Sequence, residues 1–296
     1  MTLRIGVDLG GTKTEAVAVQ LGGDEPKVIA KKRVPTERER GYEHIIEATR
    51  DLVIDVAKEA GISSLPDVGV GMPGSVSRRT GEELVKNSNT TVLNGKPFRA
   101  DLARALAVNV KFANDANCFA LAEATWGAAR DARVAFGVIM GTGVGAGVIV
   151  NRTAWDGAQG IAGEWGHVVL DEANGPPCYC GKRGCIETYL SGPSIERAYR
   201  ERSGRDGVKL PEIAASDDGR AFLLERMDVF GRALATVIDI LDPDVIVLGG
   251  GVSNLEMLYD EGVKAVARWV FNDVLETRIV KNALGDSAGV LGAALL

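Results

Sequence analysis

The chain has 296 residues, 46% of them hydrophobic and 25% charged, with a formal net charge of -6. That is a globular composition with material for one large or two medium domains, and its acidity argues against nucleic acid or an anionic membrane surface as the main partner. No apolar run approaches the roughly 20 residues that span a bilayer, and MTLRIGVDLGGTKTE lacks the charged-then-apolar pattern of a signal peptide, so a cytoplasmic, membrane-free protein is expected.

The first segment, RIGVDLGGTKTEAVAV, reads as strand, glycine-rich turn, strand. Ile45, Leu52, Val53, Val56 and Ala60 then recur at helical spacing. DVGVGMPG reads as a buried strand ending at Pro73 and Gly74, ADLARALA as a helix, VNVKFAN as a strand and DANCFALAEATWGAA as a helix. GVIMGTGVGAGVIV is again strand, glycine turn, strand. Gly6, Gly10 and Val19 match Gly137, Gly141 and Val150 at one constant offset. The match predicts a duplicated unit and two related α/β halves.

After Asn151 the pattern gives way to glycine and turn residues through 187, a stretch that includes the cysteine-rich segment. A long helix is expected over about 218–241, stopped by Asp242-Pro243. DVIVLGGGVSN reads as a buried strand entering a triple-glycine turn, and SAGVLGAALL as the last helix.

Three strands therefore end in glycine: before Gly10-Gly11-Thr12-Lys13, before Gly141-Thr142-Gly143 and before Gly249-Gly250-Gly251. Glycine lets backbone N–H groups approach an anion closely, and Thr12 and Thr142 add hydroxyl donors. Such turns suit a polyphosphate, or serve only as tight connections between core strands. None has the G-x-x-x-x-G-K-[ST] spacing or opens a helix as a dinucleotide fingerprint does. Asp8, at the end of the first strand, suits a water-mediated Mg²⁺ contact or a simple turn.

Asn114-Asp115 sits between a strand and a helix. Either residue can cap the helix, and a carboxylate there can equally accept the proton of an attacking hydroxyl in phosphoryl transfer. GIAGEWGHVVL brings Glu164 and His167, and three of the four cysteines follow within Cys178–Cys185. One histidine and three cysteines make a closed tetrahedral zinc set of structural type, although Cys178 and Cys180 lack the common two-residue finger spacing. The alternative is a loop of reactive or idle thiols. Cys118 reads as a core thiol, and His44 as a surface side chain on its helix.

Together DLGGTKTE, GTGVGAGV, NDAN, GEWGH and CYCGKRGCIET resemble the ROK family (repressors, open reading frames, kinases), and within it the bacterial fructokinases, or mannofructokinases. The resemblance runs essentially end to end, through KNSNTTVLNGKPF and LDPDVIVLGGGVSN. It implies an α/β, two-domain actin/hexokinase-like (ribonuclease H-like) ATPase fold with a cleft between domains. The expected ranges are 1–117 plus about 283–296, and 118–282 with the zinc loop at 167–187.

The implied activity is ATP- and Mg²⁺-dependent phosphorylation of a hexose 6-hydroxyl, with D-fructose as first choice. Mannose, glucose or an N-acetylhexosamine are the alternative acceptors, and polyphosphate an alternative donor. By motif match, Gly10, Gly11, Thr12, Lys13, Gly141, Thr142 and Gly143 face the phosphates, and Gly249, Gly250, Gly251 and Val252 lie near the adenosine. Asp8 corresponds to the magnesium-proximal acid and Asp115 to the catalytic base. Asn114, Asp115, Glu164, His167 and Glu187, with Gly74 and Asn89, correspond to the sugar ligands. His167, Cys178, Cys180 and Cys185 correspond to a structural zinc set, and a homodimer is implied.

Two departures bear on the acceptor. Val92 stands where many relatives carry an aromatic residue, and the stretch from His167 to Cys178 is shorter than in some fructokinases. The rival within the family is a sugar-sensing regulator, which carries an N-terminal helix-turn-helix module. Here the first strand is expected from about Leu3, so none is expected ahead of it.

Overall fold

The β-branched, alternating stretches form strands that sort into two matching arrangements in this computed structural model, which describes residues 2–77, 79 and 81–296. The first sheet holds β1 (Thr2–Leu9), β2 (Lys13–Leu21), β3 (Lys27–Pro35), β4 (Val68–Met72) and, beyond a small ribbon of β5 (Ser75–Ser77) and β6 (Leu84–Lys86), β7 (Val110–Asn114). Its order is β3-β2-β1-β4-β7. The second sheet contains β8 (Val134–Met140), β9 (Val144–Val150), β11 (Val245–Gly249) and β12 (Arg278–Lys281), in the run β9-β8-β11-β12; the two-residue β10 is Thr153–Ala154.

In both, an antiparallel hairpin is followed by two parallel strands. The repeat read from Gly6/Gly137 is thus a duplicated strand topology. Strands β4 and β11 are buried at every position, as expected for central parallel strands covered on both faces.

Helices cover these sheets: α1 (Tyr42–Glu59), α2 (Phe98–Leu106), α3 (Asp115–Trp126), α4 (Glu187–Leu190), α5 (Gly192–Ser203), α6 (Leu210–Ala215), α7 (Asp217–Leu241), α8 (Glu261–Trp269) and α9 (Ala288–Ala293). Helix α7 starts where Ser216 accepts the Gly219 N–H and stops at Asp242, whose φ is 45°. Pattern reading missed the short β5, β6, β10 and α4, and also β3, α5, α6, α8 and β12. Strand β3 is a lysine-rich edge with a single fully buried residue, Ala30, and such edges blur the alternation that marks a strand. Helix α5 is dominated by charge and buries little.

The chain divides into two compact units. One comprises Met1–Arg130, Thr153–Ala162 and Leu284–Leu296; the other comprises Asp131–Arg152 and Gly163–Ala283. The boundary expected at 117 thus falls after Arg130, and Thr153–Ala162 groups with the first unit. The reason is α3, which is apolar on nearly every face; a helix of that kind must be buried all round. It packs on α9, leaving no room for side chains at the contact. A Cβ on Gly292 would collide with the Cys118 carbonyl, and one on Gly69 with the Ala293 carbonyl. The fully buried Glu123 carboxylate accepts from Ala128 N–H (2.8 Å) and Leu284 N–H (2.9 Å), tying the end of α3 to the C-terminal return.

Each unit has its own apolar core. The first gathers Ile5, Val7, Val53, Val70, Phe98 and Leu102; the second gathers Phe136, Tyr199, Phe222, Phe230, Leu234 and Leu248. Burying each large side chain contributes roughly 1.5–3 kcal/mol. No described helix is long and apolar enough to cross a membrane.

Candidate functional site

In the first unit, strand register brings the candidate residues to one edge. Asp8 pairs across β1/β4 with Gly71, and Met72 pairs across β4/β7 with Asn114. This is the carboxyl end of the parallel strands, where α/β sheets bind ligands. Asn114 is the N-cap of α3: its Oδ1 accepts the Ala116 N–H at 2.9 Å and its Nδ2 donates to the Gly74 carbonyl at 3.0 Å. Asp115 opens the helix and shares the same N–H at 2.9 Å. The cap is therefore supplied without Asp115. Burial raises the Asp115 carboxyl above its ordinary range, against the N–H groups of Ala116 and of Asp115 itself.

Asp8 is raised as well, from 3.8 to about 7, by burial first and then by the Asp115 and Glu15 carboxylates, with Lys13 and Arg33 opposing. Glu15 faces Asp8 in the hairpin register and is held, against burial, below its usual range by Lys31 and Arg33. Two acids crowded in this way form a setting that a divalent cation would relieve.

The raised Asp8 has a testable consequence. Its contribution to stability is fully present below the unfolded value of 3.8 and is lost as pH rises through about 7. In Mg²⁺-free buffer, thermal melts of Asp8→Asn against the parent should show a Tm gap that moves in the variant's favour across that window. A gap independent of pH would mean that Asp8 is ionised throughout.

The first glycine turn is braced by Thr36, which the sequence reading passed over. Thr36 N–H donates to the Thr12 carbonyl (3.0 Å) and its hydroxyl to the Gly10 carbonyl (2.7 Å). Asn94 clamps Ser88 through both its amide atoms and so holds the loop carrying Asn89. The Asn89 Oδ1 lies 3.8 Å from where a Gly11 Cβ would stand. Gly74, Asn89, Asn114, Asp115, Asp8 and the first glycine turn thus all belong to this unit. Val92 is half-buried and packs against the unit's core. His44 is less exposed than expected, at 16% of its side chain, and lies 3.1 Å from Glu37.

In the second unit, the remaining glycine turns converge. Gly192 N–H at the start of α5 donates to the Gly141 carbonyl at 2.9 Å, and a Cβ on Gly192 would lie 3.9 Å from Val252. The third turn is closed by Ser253, whose hydroxyl donates to the Gly250 carbonyl at 2.7 Å, while Tyr259 donates to the Ser253 carbonyl at 2.7 Å. Glu164 and His167 flank a short helical turn, Trp165–His167. Trp165 anchors it, with its indole N–H donating to the Ala233 carbonyl at 3.0 Å and its ring edge-on to Phe136.

His167, Cys178, Cys180 and Cys185 place their ligand atoms all within 4.8 Å of one another. The Cys180 and Cys185 sulfurs are 3.6 Å apart, and the Cys178 sulfur is 3.6 Å from His167 Nδ1. A disulfide needs about 2.05 Å, and none of the four cysteines is in one. Zinc–sulfur bonds of about 2.3 Å in tetrahedral geometry put sulfurs about 3.8 Å apart, so this donor set fits a zinc ion. Burial, followed by the Cys180 and Cys178 side chains, pushes the Cys185 thiol up to about 12; ligation there would release a proton. The other ring nitrogen, His167 Nε2, meets the Tyr179 hydroxyl at 2.9 Å, with the rings edge to face. Nothing in the spacing pointed to Tyr179, which is 74% exposed.

Glu187 opens α4, and its Oε2 accepts the Val144 N–H at 2.9 Å, directly behind the second glycine turn. The acid expected among sugar ligands is therefore also in contact with the turn expected to face phosphates.

The model of the ROK family matches residues 4–296. An N-acetyl-D-glucosamine kinase of Vibrio parahaemolyticus is 35% identical over 98% of both chains. Among solved structures, a ROK hexokinase from Thermus thermophilus superposes with a TM-score of 0.86 at 32% identity, over 99% of this chain and 97% of that one. A ROK family glucokinase from Streptomyces griseus, in complex with glucose and AMPPNP, gives a TM-score of 0.82 at 26% identity, over 99% and 98%.

Proposed function

The chain belongs to the ROK family, and from that premise we propose that it is an ATP-dependent sugar kinase whose acceptor is N-acetyl-D-glucosamine. The acceptor differs from the fructose that the sequence motifs suggested. It follows the activity named for the Vibrio relative, which is 35% identical along nearly the whole chain, and it was among the alternatives carried from the sequence. The observation that supports the kinase chemistry best is the division of labour at Asn114-Asp115. Asn114 caps α3 and holds the Gly74 carbonyl, so Asp115 is available, in a setting that raises its basicity, to take the proton of the attacking sugar hydroxyl.

In this reading Gly10 to Lys13 and Gly141 to Gly143 hold the phosphates through backbone N–H groups, and Gly249 to Val252 lie near the adenosine. Asn114, Glu164, His167 and Glu187, with Gly74 and Asn89, orient the sugar. Asp8 would hold Mg²⁺, and the ion would supply charge that offsets the phosphates. His167, Cys178, Cys180 and Cys185 hold a zinc ion whose part is structural. The sugar hydroxyl attacks the terminal phosphorus in line, Asp115 receives its proton and ADP leaves. A homodimer belongs to the same reading, checked by sedimentation equilibrium.

The test is ADP release with Mg-ATP against N-acetylglucosamine, N-acetylmannosamine, glucose, mannose, fructose and no sugar. N-acetylglucosamine should lead in kcat/KM by about tenfold or more, the lower end of what a small change in the fit of a substituent to its pocket is worth. A lead for fructose would overturn the acceptor. Absence of sugar-dependent ADP from folded, metal-loaded protein would overturn the kinase and favour a sensor.

A further inference from the structure

We infer that Glu187, the acid of the proposed sugar set that follows the zinc loop in the chain, is a positioning residue that couples sugar occupancy to nucleotide affinity, because its carboxylate is in contact with the second glycine turn. The inference rests on the proposed kinase reading for what binds on each side.

Glu187 follows two residues after the buried Cys185, and its Oε2 accepts the N–H of Val144, the first residue of β9. The same oxygen would lie 2.6 Å from a Cβ on Gly143, so the carboxylate fills the space a side chain would need at that turn. The turn is otherwise closed by Gly141 N–H on the Gly143 carbonyl (2.9 Å) and braced by Gly192 N–H on the Gly141 carbonyl (2.9 Å). Ser191 N–H donates to the Glu187 carbonyl at 3.2 Å, so the strut and the brace share one short stretch of chain.

A carboxylate behind a polyphosphate turn has a cost as well as a use. It orders the turn through Val144, and it repels the phosphates. It also withdraws one N–H from the anion. A sugar hydroxyl donating to Glu187 draws its charge toward the sugar and pins the side chain on Val144, which weakens the repulsion while keeping the order. Sugar should therefore tighten nucleotide binding, and by linkage nucleotide should tighten sugar binding by the same factor.

The experiment is calorimetric titration of the full, zinc-loaded chain with Mg²⁺ and the non-hydrolysable β,γ-imido analogue of ATP, with and without saturating N-acetylglucosamine. The parent should show at least about fivefold tighter nucleotide binding with sugar, the lower end of typical coupling. Glu187→Gln keeps an oxygen for Val144 N–H and removes the charge. It should bind nucleotide more tightly than the parent when sugar is absent, and the sugar-dependent ratio should fall toward one.

Gly143→Ala provides a second route. Its methyl meets only the far end of the flexible Glu187 side chain, so the fold tolerates it while the carboxylate is pushed aside, and the ratio should fall again. General structural damage would weaken both affinities and leave the ratio alone. A parent that binds both ligands without coupling, or a Glu187→Gln variant with the parental ratio, overturns the inference alone. A parent that binds no sugar overturns the underlying reading with it.

Discussion

Asp115→Asn should lower kcat by about a hundredfold to ten-thousandfold, the range a positioned general base supplies, with sugar affinity nearly unchanged. The substitution is nearly isosteric, and the helix does not depend on the carboxylate. Asn114 continues to cap α3 and to hold the Gly74 carbonyl, and Ala116 N–H keeps its acceptor. A folding defect is therefore not an escape route for a negative result.

A second readout accompanies the first. The Asp115 carboxylate is one of the charges that raise Asp8 toward 7, so its removal should lower the Asp8 titration, visible as a shifted pH dependence of thermal stability in Mg²⁺-free buffer. If kcat survives in Asp115→Asn, the residue is only the first turn of a helix and the base must be sought elsewhere.

Cys180→Ser should take metal content from about one ion per chain to nearly none, since serine is a poor fourth ligand for a thiolate-rich zinc site. Sugar affinity should fall with it, by about tenfold or more. Of the three clustered cysteines Cys180 is the exposed one, whereas Cys185 is fully buried, so the loss reports on the ion and not on a cavity in the core. Without the ion, the segment from His167 to Glu187 is held by a few turns and isolated bridges, Val169 with Cys185 and Pro177 with Arg183. His167 and Glu187 would then lose their common anchor. Elemental analysis and isothermal titration with N-acetylglucosamine read the two effects separately. Full loss of the ion with unchanged sugar affinity would mean that the cluster and the sugar set are independent.

Much of this molecule was legible along the chain because its signals are local. Glycine pairs after β-branched runs marked both hairpins and the triple-glycine turn, and the matching of Gly6 with Gly137 exposed the duplication that the two sheets display. His167, Cys178, Cys180 and Cys185 were legible by residue type as a candidate donor set, with idle thiols as the alternative until the family resemblance, and the structure brings their ligand atoms within 4.8 Å. The Asn114-Asp115 pair was legible as a cap and an acid, but which residue did which was not, because both side chains suit both tasks until one is seen to accept the Ala116 N–H and grip Gly74.

Tertiary structure decided the rest. Thr36, Ser253 and Glu187 became braces of the three glycine turns only through hydrogen bonds that close in space, and no periodicity records such pairings. Helix α3, most of which the resemblance assigns to the second domain, groups with the first unit because its apolar faces need a partner and α9 supplies one at backbone contact. Strand register, which any one strand leaves open, set Asp8 opposite Gly71 and Asn114 opposite Met72, and so gathered the acids at one edge, where burial raises them both. Residue type is a local property and determined which chemistry was available; burial and register are properties of the packed whole and determined where that chemistry was placed.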